Sequence, residues 1–133
     1  MKTKVLIVDD SIAVVRQMTK LLESFGGYDV VGHAKNGAEA VKLFKTVKPE
    51  IVLMDIIMPM MDGIQSLRTI KKLDPNAKVV MLTALGGVSK KVEDAVRLGA
   101  LSVISKPIDP EKVRTVLEQI VKIGVGGSDT SFS

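Results

Sequence analysis

The chain has 133 residues, which fits one domain, and 46% of them are hydrophobic and 26% charged, as is usual for a globular protein. It contains no cysteine, which excludes disulfides and thiolate metal sites, and its three Phe, one Tyr and no Trp argue against a stacking platform for bases or a flavin. The net charge of +4 is mild and its lysines are spread along the chain, so we expect solvated helix faces and no direct binding of nucleic acid.

The first residues predict a cytoplasmic protein. Residues 1–4 lead directly into a short apolar run, whereas a signal peptide needs a longer apolar stretch and a cleavage site of small residues. Every apolar run is far shorter than the roughly 20 residues that a helix needs to span a bilayer. We therefore expect neither export nor membrane insertion.

Five short apolar segments alternate with five helical stripes, which predicts a β-α unit repeated five times. The predicted strands cover residues 5–8, 28–32, 51–54, 79–82 and 101–105, and the helical stripes cover residues 14–25, 40–44, 64–73, 88–98 and 113–121. The residues that begin or end helices are Gly26-Gly27 after the first, Asn36 with Glu39 before the second, Gly99 after the fourth, and Asp109-Pro110 before the fifth.

The continuous apolar strands predict a parallel sheet that helices cover on both faces. Residues 28–32 form a shorter and more polar strand, so we expect it at an edge of the sheet. The strand order 2-1-3-4-5 satisfies this, and the predicted fold class is α/β, a doubly wound five-stranded parallel sheet of the flavodoxin-like kind with five helices. Residues 1–123 would form this domain, and residues 124–133, with three Gly and three Ser, are expected to be a flexible tail or the start of a linker.

Polar residues follow the strands at the edge where open α/β sheets bind ligands. Asp9 and Asp10 follow the first strand, Asp55 the third, Thr83 the fourth and Lys106 the fifth. Three carboxylates favour Mg²⁺, which prefers oxygen ligands, and a hydroxyl and an ammonium suit a phosphoryl group. Because carboxylates that lie close together repel one another, we expect at least one raised pKa without a cation.

Asp55 is the central candidate, because a carboxylate can attack phosphorus and form an aspartyl-phosphate. Thr83 and Lys106 would then donate hydrogen bonds to the phosphoryl oxygens. The three carboxylates also have a simpler interpretation. Asp9 and Asp10 could cap the following helix, and Asp55 could be a turn residue at a strand end.

Taken together and in this order, the motifs resemble those of receiver domains of the two-component response-regulator family, of the single-domain CheY-like type. The matching segments are Val8-Asp9-Asp10, Met54-Asp55, Met58-Pro59-Met60-Met61-Asp62-Gly63, Leu82-Thr83-Ala84 and Lys106-Pro107. They span residues 4 to about 121, nearly the whole chain. The resemblance implies the CheY-like form of the predicted fold.

The resemblance also implies a phosphoacceptor and a metal site. Asp55 would take a phosphoryl group from a phosphohistidine of a sensor histidine kinase or a phosphotransfer protein. Asp10, Asp55 and the backbone carbonyl of Ile57 would bind Mg²⁺ directly, and Asp9 would act mainly through bound water. The protein would be a phosphorylation-controlled switch, whose only reactions are Mg²⁺-dependent self-phosphorylation and autodephosphorylation.

Further residues would surround the phosphoryl group. The resemblance implies that Thr83 swings towards this group and that Ala84 leaves room for it. Lys106 would pair with the group, and the family often holds the bond between this lysine and Pro107 in the cis form. Pro59 and Gly63 would shape the adjoining loop, with Gly63 at the sharp turn into the third helix. Output to an unknown protein or domain would use the face formed by the fourth helix, the fifth strand and the fifth helix. The expected contacts on that face are Lys90, Lys91, Arg97, Arg114 and Glu118, in a monomer or a phosphorylation-dependent dimer.

Three positions depart from the family pattern. Val103 stands where the family usually carries a Tyr or Phe coupled to the threonine, so this chain lacks the aromatic part of that switch. Ile57 and Leu85 are apolar at positions that flank the path of the attacking water. We hypothesise that these two side chains exclude water and slow the loss of the phosphoryl group.

Three alternatives remain from the sequence alone. A phosphatase of the haloacid-dehalogenase type also combines Asp, Mg²⁺, Thr and Lys, but it carries its nucleophile after the first strand in an Asp-x-Asp motif. A flavodoxin-like binding module would need a phosphate-binding loop where Asp9 and Asp10 stand. The third alternative is a receiver that is part of a larger protein, with an output domain beyond Ser133.

Overall fold

The structure, a computed structural model, describes residues 2–84 and 90–126. Five strands alternate with five helices in this part of the chain, as predicted. The strands are β1 (Thr3–Val8), β2 (Tyr28–Ala34), β3 (Ile51–Asp55), β4 (Lys78–Thr83) and β5 (Ser102–Ser105). The helices are α1 (Ile12–Phe25), α2 (Gly37–Val47), α3 (Gly63–Leu73), α4 (Lys90–Arg97) and α5 (Pro110–Gly126).

The five strands form one sheet in the order β2-β1-β3-β4-β5, and every neighbouring pair is parallel. This confirms the predicted order and the predicted edge position of β2. The predicted short length of β2 is wrong, because this strand has seven residues. A register shift opposite Val5 and Leu6 lets the ladder continue until Ala34 pairs with Val8, and Ala34 is fully buried.

Two apolar cores lie on opposite faces of the sheet. Leu6 and Val8 of β1 contribute to the core under α2, α3 and α4, whereas Val5 and Ile7 contribute to the core under α1 and α5. This alternation explains the continuous apolar runs in the sequence, because both faces of a central strand are covered. All five residues of β3 are buried, and the last of them is Asp55.

The residues at the helix ends agree with most of the predicted boundaries. The side chain of Asn36 accepts a hydrogen bond from the Glu39 N–H at 2.9 Å, and Gly99 has a φ of 107°, as a left-handed helix end requires. The cap of α1 is Ser11, whose hydroxyl accepts from the Val14 N–H at 3.3 Å. Asp9 and Asp10 therefore do not cap this helix, and the simpler interpretation of these two carboxylates is wrong.

One predicted segment end lies outside the described residues, and another differs from the structure. The fourth helical stripe was predicted to begin at residue 88, but residues 85–89 lie outside the described residues and α4 is described from Lys90. Helix α5 reaches Gly126 and so includes residues 124–126, which the sequence assigned to the tail. Among the described helices, none combines the length and the apolar character that a membrane span requires.

Candidate functional site

The carboxyl edge of the sheet brings together the five predicted polar residues. Asp55 and Thr83 are the last residues of β3 and β4, and Asp9, Asp10 and Lys106 follow β1 and β5. Asp9, Asp10 and Asp55 each offer a carboxylate oxygen, and these oxygens lie within 4.8 Å of one another. Three hard oxygen donors at this spacing fit Mg²⁺, which needs only one or two protein carboxylates beside water and phosphate oxygens.

The ammonium of Lys106 joins two of these carboxylates. Its Nζ lies 2.8 Å from Oδ2 of Asp9 and 3.2 Å from Oδ2 of Asp55. The side chain of Asp9 is fully buried and that of Asp55 is 8% exposed, so the charges interact with little screening by water. Asp10 is exposed and lies at the solvent side of the cluster.

Burial and the charges at this edge shift two pKa values. Burial and the repulsion from Asp9 raise the pKa of Asp55, although the Lys106 ammonium and the Ile57 N–H act in the opposite direction. The predicted raised carboxyl pKa is thus confirmed, with burial as a larger cause than the predicted repulsion. Burial alone would lower the pKa of Lys106, but its hydrogen bonds and charge interactions with Asp9 and Asp55 outweigh burial and raise it.

The loop between β3 and α3 presses directly on the backbone of Asp55. The Gly63 N–H donates to the carbonyl of Ile56 at 2.8 Å, and a Cβ at position 63 would overlap the Asp55 carbonyl oxygen and lie 2.9 Å from the Ile56 Cα. Gly63 is therefore required for this close approach. Within the same loop, Met60 adopts a left-handed conformation, with a φ of 66°.

The exposed part of the same loop carries apolar side chains. The Ile57 N–H donates to Oδ1 of Asp55 at 3.3 Å, and the Ile57 side chain is 48% exposed. Pro59 is exposed and Met58 is buried. The second apolar residue of the water-exclusion hypothesis, Leu85, lies outside the described residues.

The fourth and fifth strands present the remaining predicted residues. Thr83 is buried, and its carbonyl accepts the Lys106 N–H at 2.7 Å. Ala84 is exposed, and the peptide bond between Lys106 and Pro107 is cis. Val103, which replaces the usual aromatic residue, lies opposite Met81 in the sheet and packs against the core under α2, α3 and α4.

Asp62 has a role that the motif alone did not reveal. Its Oδ1 accepts the Gln65 N–H at 3.0 Å, which caps α3, and its Oδ2 lies 3.1 Å from Nζ of Lys91 in α4. Burial would raise the pKa of Asp62, but the Gln65 N–H and the Lys91 ammonium outweigh it, and this pKa lies below its usual range. An Asp three residues before Gln65 is the signal for the cap, whereas no local pattern indicates the contact with Lys91.

The predicted output residues do not all share one surface. Lys90 and Arg97 pair with Asp94 along α4, at 3.5 and 3.2 Å. Arg114 instead lies over the ring of Phe25 in α1, with its guanidinium carbon 4.5 Å from the ring centre. The charges of Arg114 and Glu118 both influence the pKa of Tyr28, which is the first residue of β2. Lys91 and Arg114 therefore contact residues outside the predicted output face, and Glu118 interacts electrostatically with one.

The comparison with known proteins agrees with the fold. Residues 5–118 match the family model of the response regulator receiver domain. Chemotaxis protein CheY of Thermotoga maritima is 44% identical over 122 residues, which cover 92% of this chain and all of that protein. Chemotaxis protein CheY of Bacillus subtilis is 42% identical over 113 residues, covering 85% of this chain and 92% of that protein.

Solved structures give the same result. The CheY of the CheX-CheY-BeF3-Mg complex of Borrelia burgdorferi has a TM-score of 0.84 and 40% identity, covering 90% of this chain and 89% of that chain. The response regulator domain of Thermotoga maritima CheB has a TM-score of 0.79 and 32% identity, covering 98% of this chain and 100% of that chain. Asp55 ends the third strand, whereas the phosphatase alternative requires a nucleophile after the first. With its fold, its carboxylate cluster and its relatives in agreement, the chain belongs to the response regulator receiver domain family and is of the CheY-like type.

Proposed function

We propose that this protein accepts a phosphoryl group on Asp55 from a sensor histidine kinase or a phosphotransfer protein, and that the phosphorylated form changes its binding to an output partner. The observation that carries the proposal is the position of Asp55. Its carboxylate ends the buried strand β3, faces two further carboxylates and lies 3.2 Å from the Lys106 ammonium. Asp9 also faces two carboxylates and the Lys106 ammonium, but its side chain is fully buried, whereas that of Asp55 is 8% exposed and so can be reached by a phosphodonor.

The proposed transfer needs little covalent chemistry from the protein. A carboxylate oxygen of Asp55 forms a bond to phosphorus while the P–N bond of the phosphohistidine breaks and its electron pair returns to the imidazole. Lys106 is placed to donate to a phosphoryl oxygen, and Thr83 at the neighbouring strand end offers a hydroxyl. Ala84, directly after Thr83, adds no bulk beside the group.

Mg²⁺ is the proposed cofactor. Asp9, Asp10 and Asp55 would hold it together with the backbone carbonyl of Ile57, with Asp9 acting mainly through water. When bound, the ion would offset the repulsion between the anionic phosphodonor and these carboxylates. The positions of the three carboxylates would set the geometry of the metal site. The Ile57 N–H donates to Oδ1 of Asp55 and so holds this oxygen in place.

The output partner is proposed to bind the face of α4, β5 and α5. Val103 of β5 borders a groove on this face with Lys112 and Thr115 of α5. The relatives suggest the kind of pathway, because several are chemotaxis proteins and the Borrelia burgdorferi CheY forms a complex with CheX. We propose a cytoplasmic switch, monomeric or dimerising on phosphorylation, in which a sensor kinase with access to ATP supplies the phosphoryl group.

Intact mass after incubation with acetyl phosphate tests the proposal. We expect a gain of one phosphoryl group that requires Mg²⁺ and that Asp55→Asn abolishes. Asp29→Asn is the matched control. Asp29 is an exposed residue of β2 that lies opposite Lys4 in the strand ladder, near the amino end of β1 and away from the carboxyl edge. A phosphoryl gain that persists in Asp55→Asn, or no gain with either acetyl phosphate or a phosphorylated kinase, would overturn the proposal. Turnover of a generic phosphate ester would instead favour phosphatase activity.

A further inference from the structure

A chain of contacts leads from helix α4 to the backbone of Asp55. Lys91, in the first turn of α4, places its Nζ 3.1 Å from Oδ2 of Asp62. The other carboxylate oxygen of Asp62 accepts the Gln65 N–H, so the carboxylate is held by α3 and α4 together. A displacement of α4 that moves Lys91 therefore acts on Asp62.

Asp62 is joined covalently to the residue that lies against the phosphoacceptor. Gly63 follows it, donates its N–H to Ile56 at 2.8 Å and approaches the Asp55 carbonyl so closely that a Cβ would not fit. Close-packed backbone transmits displacement because it has no free volume in which to absorb it. Movement of Asp62 is thus passed to Asp55, and movement at Asp55 is passed back.

The opposite side of this loop is fixed more firmly. The Gly37 N–H at the start of α2 donates to the Met61 carbonyl at 2.9 Å, and the buried Ser66 hydroxyl donates to the Gly37 carbonyl at 3.1 Å. A Cβ at Gly37 would also overlap the Met61 carbonyl oxygen. By contrast, the side chains of Lys91 and Asp62 are 43% and 30% exposed, so this pair is the contact that can break and re-form at small cost.

The pair also connects the site to the output helix where the usual aromatic link is absent. Val103 is too short to replace an aromatic side chain, and it lies within the sheet against the core. Asp62 and Lys91 make a separate connection, from the loop after β3 to α4, that does not pass through β5.

We propose that the Lys91–Asp62 ion pair couples helix α4 to the phosphoacceptor loop, so that Lys91 is a positioning residue for Asp55. This proposal rests on phosphorylation of Asp55. Coupling is reciprocal: loading of Asp55 changes the environment of α4 through the pair, and loss of the pair changes the affinity of the site.

The test loads the full chain with Mg²⁺ and trifluoroberyllate, a tetrahedral substitute for the phosphoryl group, and follows backbone amide resonances by NMR. The reporters are Ala95 and Val96 in α4. Lys91→Met and Asp62→Asn remove the ion pair, and the asparagine keeps an oxygen for the Gln65 N–H. Lys90→Met is the matched control, because among the described residues the ion pair of the Lys90 ammonium is with Asp94 of the same helix.

We expect Lys91→Met to reduce the loading-induced shifts of the two reporters by at least half and to weaken trifluoroberyllate binding by about two- to fivefold, the range of an exposed ion pair. Lys90→Met should retain both properties, and Lys91→Arg should restore them. The double variant Lys91→Met/Asp62→Asn should be no more impaired than either single variant, as expected for one shared interaction.

The outcomes separate the two proposals. If the wild-type chain loads and the reporters shift equally in the Lys91→Met and Lys90→Met variants, the coupling proposal is wrong while phosphorylation of Asp55 stands. If the wild-type chain fails to load with trifluoroberyllate and also gains no phosphoryl group, both proposals are wrong. A fold check by circular dichroism on each variant ensures that a lost response reflects the pair rather than unfolding.

Discussion

Lys106 and Asp55 meet across the width of an intervening strand. Asp55 ends β3 and Lys106 follows β5, yet the ammonium lies 3.2 Å from the carboxylate because β4 separates the two strands and the long lysine side chain reaches over its end. The same ammonium lies 2.8 Å from Asp9. One cation thus compensates two buried carboxylates, and this is the principal source of charge balance within the site.

Replacing this cation should destabilise the fold. Lys106→Met keeps the length of the side chain but leaves Asp9 and Asp55 without their ammonium, and we expect a loss of about 2 kcal/mol in the free energy of unfolding. Urea denaturation at neutral pH measures it, with Lys112→Met on the exposed side of α5 as the control. Mg²⁺ should restore part of the stability of Lys106→Met, since it also neutralises carboxylates. Equal urea midpoints for both variants would contradict this account.

A methyl group at Gly63 should disturb the phosphoacceptor itself. Gly63→Ala places a Cβ against the Asp55 carbonyl and the Ile56 Cα, and such overpacking costs about 1–3 kcal/mol. We also expect slower phosphorylation by acetyl phosphate, measured by intact mass. Gly32→Ala is the matched control, because its Cβ would make ordinary contacts at 3.5 Å with Leu6 and 4.0 Å with Leu43. Wild-type stability in Gly63→Ala would show that the loop can move away from Asp55.

A polar side chain at position 57 should shorten the life of the phosphoryl group. Ile57 is 48% exposed beside Asp55, and Ile57→Asn replaces an apolar barrier with a group that can hydrogen-bond a water molecule. We expect dephosphorylation to be several-fold faster, measured as the decay of the phosphorylated mass after the phosphodonor is removed. Met60→Asn, on the same loop and 84% exposed, should decay at the wild-type rate. An unchanged lifetime in Ile57→Asn would exclude the water-exclusion hypothesis.

The Asp62 carboxyl should titrate below the usual range of an aspartate, because the Gln65 N–H and the Lys91 ammonium favour its charged form more than burial disfavours it. The pKa of Asp62 is lower in the folded protein than in the unfolded chain, where it is about 3.9. The ionised carboxylate therefore contributes its full stability above the unfolded pKa, and this contribution is lost as the pH falls through the folded pKa. The carboxyl carbon shift of Asp62, followed by NMR against pH, measures this. Lys91→Met should raise this pKa and Lys90→Met should not; equal titration curves in all three proteins would refute the contact.

Much of the fold was predictable because it depends on local patterns. Runs such as residues 51–54 are apolar throughout, and this alone indicates a strand buried on both faces. The capping side chain of Asn36 likewise acts within its own helix. The length of β2 was not predictable, because the register shift that extends its pairing to Ala34 depends on β1 and not on the residues of β2.

For the site, the sequence by itself determined which chemical groups collect at the carboxyl edge, because in a parallel sheet the ends of all strands meet there. That rule placed Asp9, Asp10, Asp55, Thr83 and Lys106 together before any contact was known. The tertiary structure alone decided how these groups and their neighbours act on one another. Burial is a larger cause of the raised Asp55 pKa than repulsion from Asp9. The Arg114 guanidinium lies over the ring of Phe25, and the Lys91 ammonium forms an ion pair with Asp62. Each of these depends on distances between elements far apart in the chain, which no local pattern of residues encodes.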